Sequence, residues 1–147
     1  MGPMVIVAAI DRTERATDVL AEATILAEKF EEEVHVLHVM KRSEAIQIEE
    51  DSTNKDEAVS TAELREQAAQ PAKSLVDTNP TGVGTTTVGR IGDPASEIVE
   101  YADDHQARYV VISPRRRSQT GKLLFGSVAQ TVLLNASCPV VSLADQS

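Results

Sequence analysis

Apolar and polar positions along the chain fall into a regular alternation of two patterns. Met4 to Ile10 is an unbroken apolar run rich in β-branched residues, as expected of a strand covered on both faces. After Asp11, the apolar residues Ala16, Val19, Leu20, Ala23, Leu26, Ala27 and Phe30 recur at intervals of three and four, with Glu14, Asp18, Glu22 and Glu28 between them. That spacing predicts an amphipathic helix. Val34 to Met40 is a second strand-like run. Lys41 to Glu57 then loses periodicity and turns polar and acidic, which predicts a long surface loop over residues 41–57. Helical spacing returns with Leu64, Ala68, Ala72 and Leu75 from about Ala58 to Val76, where Pro71 is expected to kink or divide the helix.

Gly82 to Gly89 has strand composition, and Gly92-Asp93-Pro94 supplies a helix start with Asp at the N-cap and Pro at the first helical position. The helix that follows is expected to bury Ala95, Ile98, Val99 and Ala102. Tyr109 to Ile112 is a fourth strand, Gly126 to Leu134 a fourth helix, and Val140 to Leu143 a fifth strand. Strands separated by helices run parallel through right-handed crossovers, so the pattern predicts an α/β fold: a doubly wound, open, five-stranded parallel sheet with helices on both faces. Such sheets take ligands beyond the carboxyl ends of their strands, where the strand order reverses.

At 147 residues the chain is expected to form a single domain spanning residues 1–147. No apolar run approaches the length of a membrane span and no charged leader opens the chain, which together predict a cytoplasmic protein away from membranes. Twenty-three acids against 14 bases, a net charge of −9, disfavour nucleic acid as a partner. Only five of those bases are lysine, and acids crowd the helix faces, a balance suited to a high-salt cytoplasm. The single cysteine, Cys138, is read as a packing residue, and structural zinc is excluded by the lack of a Cys/His cluster. His35 and His38 are expected to share a face of the second strand, packed or exposed and not metal-bound. His105 sits at a polar helix end.

The chemistry concentrates between Ser113 and Ser127, a stretch without an acid that carries Arg115, Arg116, Arg117 and Lys122. With Gly126-Ser127 opening a helix, it has the make-up of a small phosphate site, in which guanidinium forks, backbone donors and a hydroxyl converge. The alternative is that the arginines pair with surface acids. The stretch lacks the P-loop spacing, and no G-x-G-x-x-G follows the first strand. Arg90 is the one candidate for phosphate contact near Gly92-Asp93-Pro94.

The order of elements, the strand ending in Asp11, Leu37-His38-Val39, Gly89-Arg90-Ile91-Gly92-Asp93-Pro94, and Gly126-Ser127 through Cys138-Pro139-Val140-Val141 resemble the universal stress protein family from about Met4 to Leu143. The resemblance implies homodimers paired through the last strand, Val140 to Leu143, and, in one branch, bound ATP accompanied by Mg²⁺. It places Asp11 beside the ribose or a phosphate-bound metal, Val39 and Ile112 against adenine, and Ser113, Gly126, Ser127 and Val128 at the ribose and phosphates. Ser113 and Arg116 stand at two positions where that branch carries glycine, so the resemblance is complete only at Gly126-Ser127. Arg115, Arg116 and Arg117 are then expected to replace a backbone cradle with side-chain forks. The expected function is a nucleotide-binding or phosphate-sensing stress-response module, with at most slow ATP hydrolysis. The competing expectation is a dimeric interaction protein that uses the arginine-rich loop to meet an acidic partner.

Overall fold

A computed structural model of the chain describes residues 3–53, 60–113, 116–117, 123–124 and 126–144. Its elements in order are β1 (Val5–Ile10), α1 (Arg15–Phe30), β2 (Glu33–Met40), α2 (Arg42–Thr53), α3 (Thr61–Thr78), β3 (Thr85–Ile91), α4 (Pro94–Asp104), β4 (Ala107–Ile112), β5 (Arg116–Arg117), β6 (Leu123–Leu124), α5 (Ser127–Asn135) and β7 (Val140–Ser142). Five strands form one parallel sheet in the order β3-β2-β1-β4-β7, and β5 and β6 pair antiparallel as a separate hairpin. The doubly wound α/β architecture expected from the sequence is therefore the observed one.

Side-chain alternation along the strands assigns the two faces. Ile6, Ala8 and Ile10 of β1, Val34 and Val36 of β2 and Val111 of β4 pack with Val19, Leu20 and Ala23 of α1 and Ala72 of α3. Val7, Leu37, Val88, Val110 and Ile112 point the other way, against Ala95, Ile98 and Tyr101 of α4 and Ala129 and Val132 of α5. At the end of α4's connection, the Asp93 carboxylate accepts from the Ser96 backbone N–H at 3.1 Å and from its hydroxyl at 2.8 Å, as the N-cap requires.

Four expectations are corrected. The stretch expected as a loop over residues 41–57 contains α2 from Arg42 to Thr53, with residues 54–57 outside the described structure. Its burial rests on Ala45 and Ile48 alone, packed on Met40, Leu64 and Ile91, while Ile46 stays exposed. So narrow an apolar stripe leaves no readable periodicity. Pro71 does not divide α3, which runs unbroken from Thr61 to Thr78. Buried Leu64, Ala68 and Ala69 before the proline and Ala72 after it hold both halves on the sheet, against an intrinsic cost of about 3 kcal/mol for an interior proline. His35 and His38 lie on opposite faces, since three positions along a strand is an odd interval: His35 meets Tyr101 of α4, and His38 meets Ala68 of α3. The third strand begins at Thr85 and not at Gly82, whose φ of 76° belongs to the preceding turn.

α3 crosses β3 closely enough that a Cβ on Gly89 would lie 2.2 Å from the Arg65 carbonyl oxygen and 2.4 Å from the Ala69 nitrogen. Both are backbone atoms that cannot swing aside. Gly89→Ala is accordingly expected to destabilise the protein by about 3 kcal/mol, the upper range for overpacking, read as a lower urea midpoint with an unchanged slope.

Candidate functional site

Strand order changes direction at β1, which has β2 on one side and β4 on the other. The helices that follow β1 and β4, α1 and α5, pack on opposite faces of the sheet, and a cleft of about 190 Å³ opens at the carboxyl ends of these strands. Its walls are apolar: Leu37 and Val39 of β2, Ile112 of β4, Ile98 of α4, and Val128 and Ala129 of α5. Its rim is polar and charged, with Asp11, Arg12, Lys41, Glu44 and Ser113.

Asp11 ends β1 and folds back on its own loop. One carboxylate oxygen accepts from the Thr13 backbone N–H at 2.9 Å and from the Thr13 hydroxyl at 2.6 Å, which fixes the turn into α1. The next residue, Arg12, reaches across the rim to Glu44 of α2, with 2.8 Å between guanidinium nitrogen and carboxylate oxygen. Both side chains are substantially exposed, so this pair contributes at most about 1 kcal/mol and readily exchanges for another anion. α5 opens at Gly126 without a side-chain cap, and the Gly126 carbonyl accepts from the Gln130 N–H at 3.0 Å.

His38, 5% exposed, forms part of the cleft wall, and its Nδ1 lies 2.7 Å from the Ala68 carbonyl oxygen. A carbonyl only accepts, so Nδ1 carries the proton and the neutral ring keeps Nε2 as an acceptor. Burial pushes the His38 pKa below 6.5, against the opposing pull of that hydrogen bond. His35, 2.6 Å from the Tyr101 hydroxyl, is also lowered, first by burial and then by nearby His105.

Of the residues singled out from the sequence, Asp11, Val39, Ile112, Ser113 and Val128 come together around the cleft. Gly126 and Ser127 form the N-cap and first residue of α5, two and one positions before Val128, without lining the cleft themselves. Arg115 lies outside the described residues; Arg116 and Arg117 form β5, paired with Leu124 and Leu123. Arg90 does not line the cleft and instead packs over Tyr101, with its guanidinium carbon 5.2 Å from the ring centroid. Arg12, Lys41 and Glu44 were not singled out. The last two reach the rim because α2 is a helix, for which the sequence carried little signal. Among the described residues no group of three or more His, Cys, Asp or Glu side chains is placed to hold a metal, and no helix is long and apolar enough to cross a membrane.

The universal stress protein family model matches residues 4–143. The chain belongs to the universal stress protein family. A universal stress protein of Methanocaldococcus jannaschii is 27% identical over 136 residues, covering 92% of this chain and 79% of the relative. The solved universal stress protein of Archaeoglobus fulgidus is 26% identical with a TM-score of 0.66, covering 98% of this chain and all of that one. A further structure of that family from Archaeoglobus fulgidus, in complex with dAMP, superposes with a TM-score of 0.63 at 23% identity over 97% of this chain and 98% of its own.

The two lowered histidines fix a sign for the pH dependence of this universal stress protein's stability. Below about pH 6.5 the unfolded chain takes up protons that folded His35 and His38 refuse, so stability falls with acidification until the folded-state values are reached. His38→Asn retains a side-chain donor without a titrating ring. The drop in Tm between about pH 7.5 and pH 5.5 is expected to be smaller in that variant than in the parent.

Proposed function

We propose that this universal stress protein binds an adenine nucleotide in the cleft between β1 and β4 and serves as a nucleotide-sensing module in the stress response. The observation that carries the proposal is an apolar slot at the point of strand reversal, walled by Val39, Ile112 and Val128, with Asp11 and Ser113 at its rim and the uncapped start of α5 beside it. The enclosed volume of about 190 Å³ is smaller than the usual range of about 300–1,000 Å³ for ligand pockets. It suits a flat base held by dispersion contacts, with the ribose and phosphates over the rim. There Asp11 accepts from ribose hydroxyls or holds a metal that arrives with the phosphates. The first turn of α5, from Gly126 and Ser127, presents N–H groups to phosphate oxygens. Arg12 and Lys41 add positive charge on the opposite side of the rim. The dAMP complex of the Archaeoglobus fulgidus relative is consistent with this assignment.

In this proposal Arg115, Arg116 and Arg117 supply the phosphate contacts that a glycine-rich cradle supplies elsewhere. The two-residue pairing of Arg116–Arg117 with Leu123–Leu124 gives these residues an extended backbone. The same arrangement supports the second reading, in which the loop meets an acidic protein partner. Calorimetric titration decides between them. Saturable binding of ATP·Mg²⁺ is expected, weakened about tenfold or more when all three arginines are replaced by alanine. A folded protein that binds neither ATP nor AMP overturns the proposal in favour of the acidic partner.

Dimerisation through β7 completes the proposal. β7 is an edge strand bonded to β4, and the Ser142 hydroxyl is buried with no hydrogen-bond partner among the described residues. A second copy added at that edge would cover its free backbone groups. Light scattering is expected to give twice the 15.8 kDa chain mass; a monomer at micromolar concentration would remove the β7 interface from the proposal.

A further inference from the structure

A groove separate from the nucleotide cleft lies along the carboxyl end of edge strand β3, between α2 and the first turns of α3, with a volume of about 340 Å³. Three arginines from three different elements line it: Arg42 of α2, Arg65 of α3 and Arg90 of β3. Their company is unusual for this protein. Acids outnumber bases 23 to 14, and among the described residues Arg12 and Arg108 each pair with a carboxylate, at 2.8 Å and 2.6 Å, while Arg15 also has a partner. Arg42, Arg65 and Arg90 form no ion pair with any described residue, although Glu49 and Glu97 line the same groove. Three arginines that line one groove in a surplus of acids, with no ion pair to any described residue, leave their combined positive potential available to an external anion.

Arg90 is held in place for such a role. One terminal nitrogen donates to the Gly89 carbonyl at 3.0 Å, and the guanidinium carbon rests 5.2 Å from the ring centroid of buried Tyr101. Packing on an aromatic ring reduces the freedom that the side chain would lose on binding. Its other donors remain for a ligand. Arg42 and Arg65 are exposed and approach from α2 and α3, so an anion between them would be gripped from more than one direction. The first turn of α2 separates this groove from the cleft: Lys41 and Glu44 belong to the cleft, and Arg42 to the groove.

We propose that the groove is a second ligand site, for a small molecule bearing a phosphate or pyrophosphate group, gripped by Arg42, Arg65 and Arg90. Guanidinium forks match phosphate oxygens in pairs. Glu97 accepts hydrogen bonds from hydroxyl groups on the same molecule, and the charge of Glu49 and Glu97 repels an extended polyanion such as nucleic acid. This site is independent of what occupies the cleft.

The test follows backbone amide resonances of isotopically labelled protein at fixed ionic strength, with inorganic pyrophosphate and, separately, glycerol 3-phosphate as probes. Saturable shifts are expected around residues 42, 65 and 90. The Arg42→Ala/Arg65→Ala double variant, altered only at exposed side chains, is expected to keep the parent's melting curve and raise the Kd about tenfold or more. Tighter binding of pyrophosphate assigns a free anion, and tighter binding of glycerol 3-phosphate a phosphate carried on a hydroxylated molecule; both support the site. Shifts confined to the cleft around residues 11, 39 and 112, no saturation with either probe, or an unchanged Kd in the double variant overturn it.

Discussion

Everything in this structure depends on covering β1 from both sides. Ile6, Val7 and Ala8 at its centre are wholly buried, and successive residues point to opposite faces, so neither helical layer alone would protect the strand from water. α1 and α3 cover the even-numbered side chains, and α4 and α5 the odd-numbered ones. A parallel sheet grown outward in both directions from a central strand must send its crossovers to opposite faces. The helices after β1 and β4 consequently lie on opposite faces, and the cleft opens at the carboxyl ends of those strands. The candidate nucleotide site is thus a by-product of how the hydrophobic strand is buried, and the loops need only furnish it with polar groups.

The other edge of the sheet follows a second constraint, the close approach of α3 to β3. Gly89 allows it, because any side chain there would enter the helix backbone. With α3 seated so low, Leu64 and Ala68 meet Met40, and α2 docks its two inward residues on that small cluster. α2 then forms a wall with two different chemistries. Lys41 and Glu44 complete the cleft rim, where Glu44 engages Arg12, while Arg42 faces a groove shared with Arg65 and Arg90. In a chain with a charge of −9, most cations are expected to be neutralised by neighbouring acids. Arg12 and Arg108 follow that rule among the described residues, and the arginines of the groove do not.

Legibility varied with how much each element depends on local pattern. The continuous run Met4 to Ile10 and the three-and-four spacing of α1 are properties of adjacent residues, and so is the Asp93-Pro94 start of α4; all three were legible. Asp11, Val39, Ile112 and Ser113 were legible as cleft residues because they sit at the ends of recognisable elements, and the topology of a parallel sheet brings those ends together, whereas Val128 was legible only through the family resemblance. Arg90 was legible as a phosphate candidate but not as a residue outside the cleft. Its direction depends on Tyr101, eleven positions onward in another element. The opposite faces of His35 and His38 follow from strand periodicity alone and needed only the correct interval.

The sequence by itself determined the α/β class and the parallel sheet, because burial periodicity and turn chemistry are written in neighbouring residues, and its motifs carried the resemblance to the family. The tertiary structure alone decided that residues 42 to 53 are helical, that α3 continues through Pro71, and that three arginines from α2, α3 and β3 share a groove. Each depends on residues far apart in the chain coming together: Ala45 on Leu64, Ala72 beneath α1 and the sheet, and Arg42 and Arg90 lining one groove. A narrow apolar stripe or an interior proline is unfavourable or uninformative when judged locally. It becomes stable once the core formed by other elements supplies the surface against which it packs.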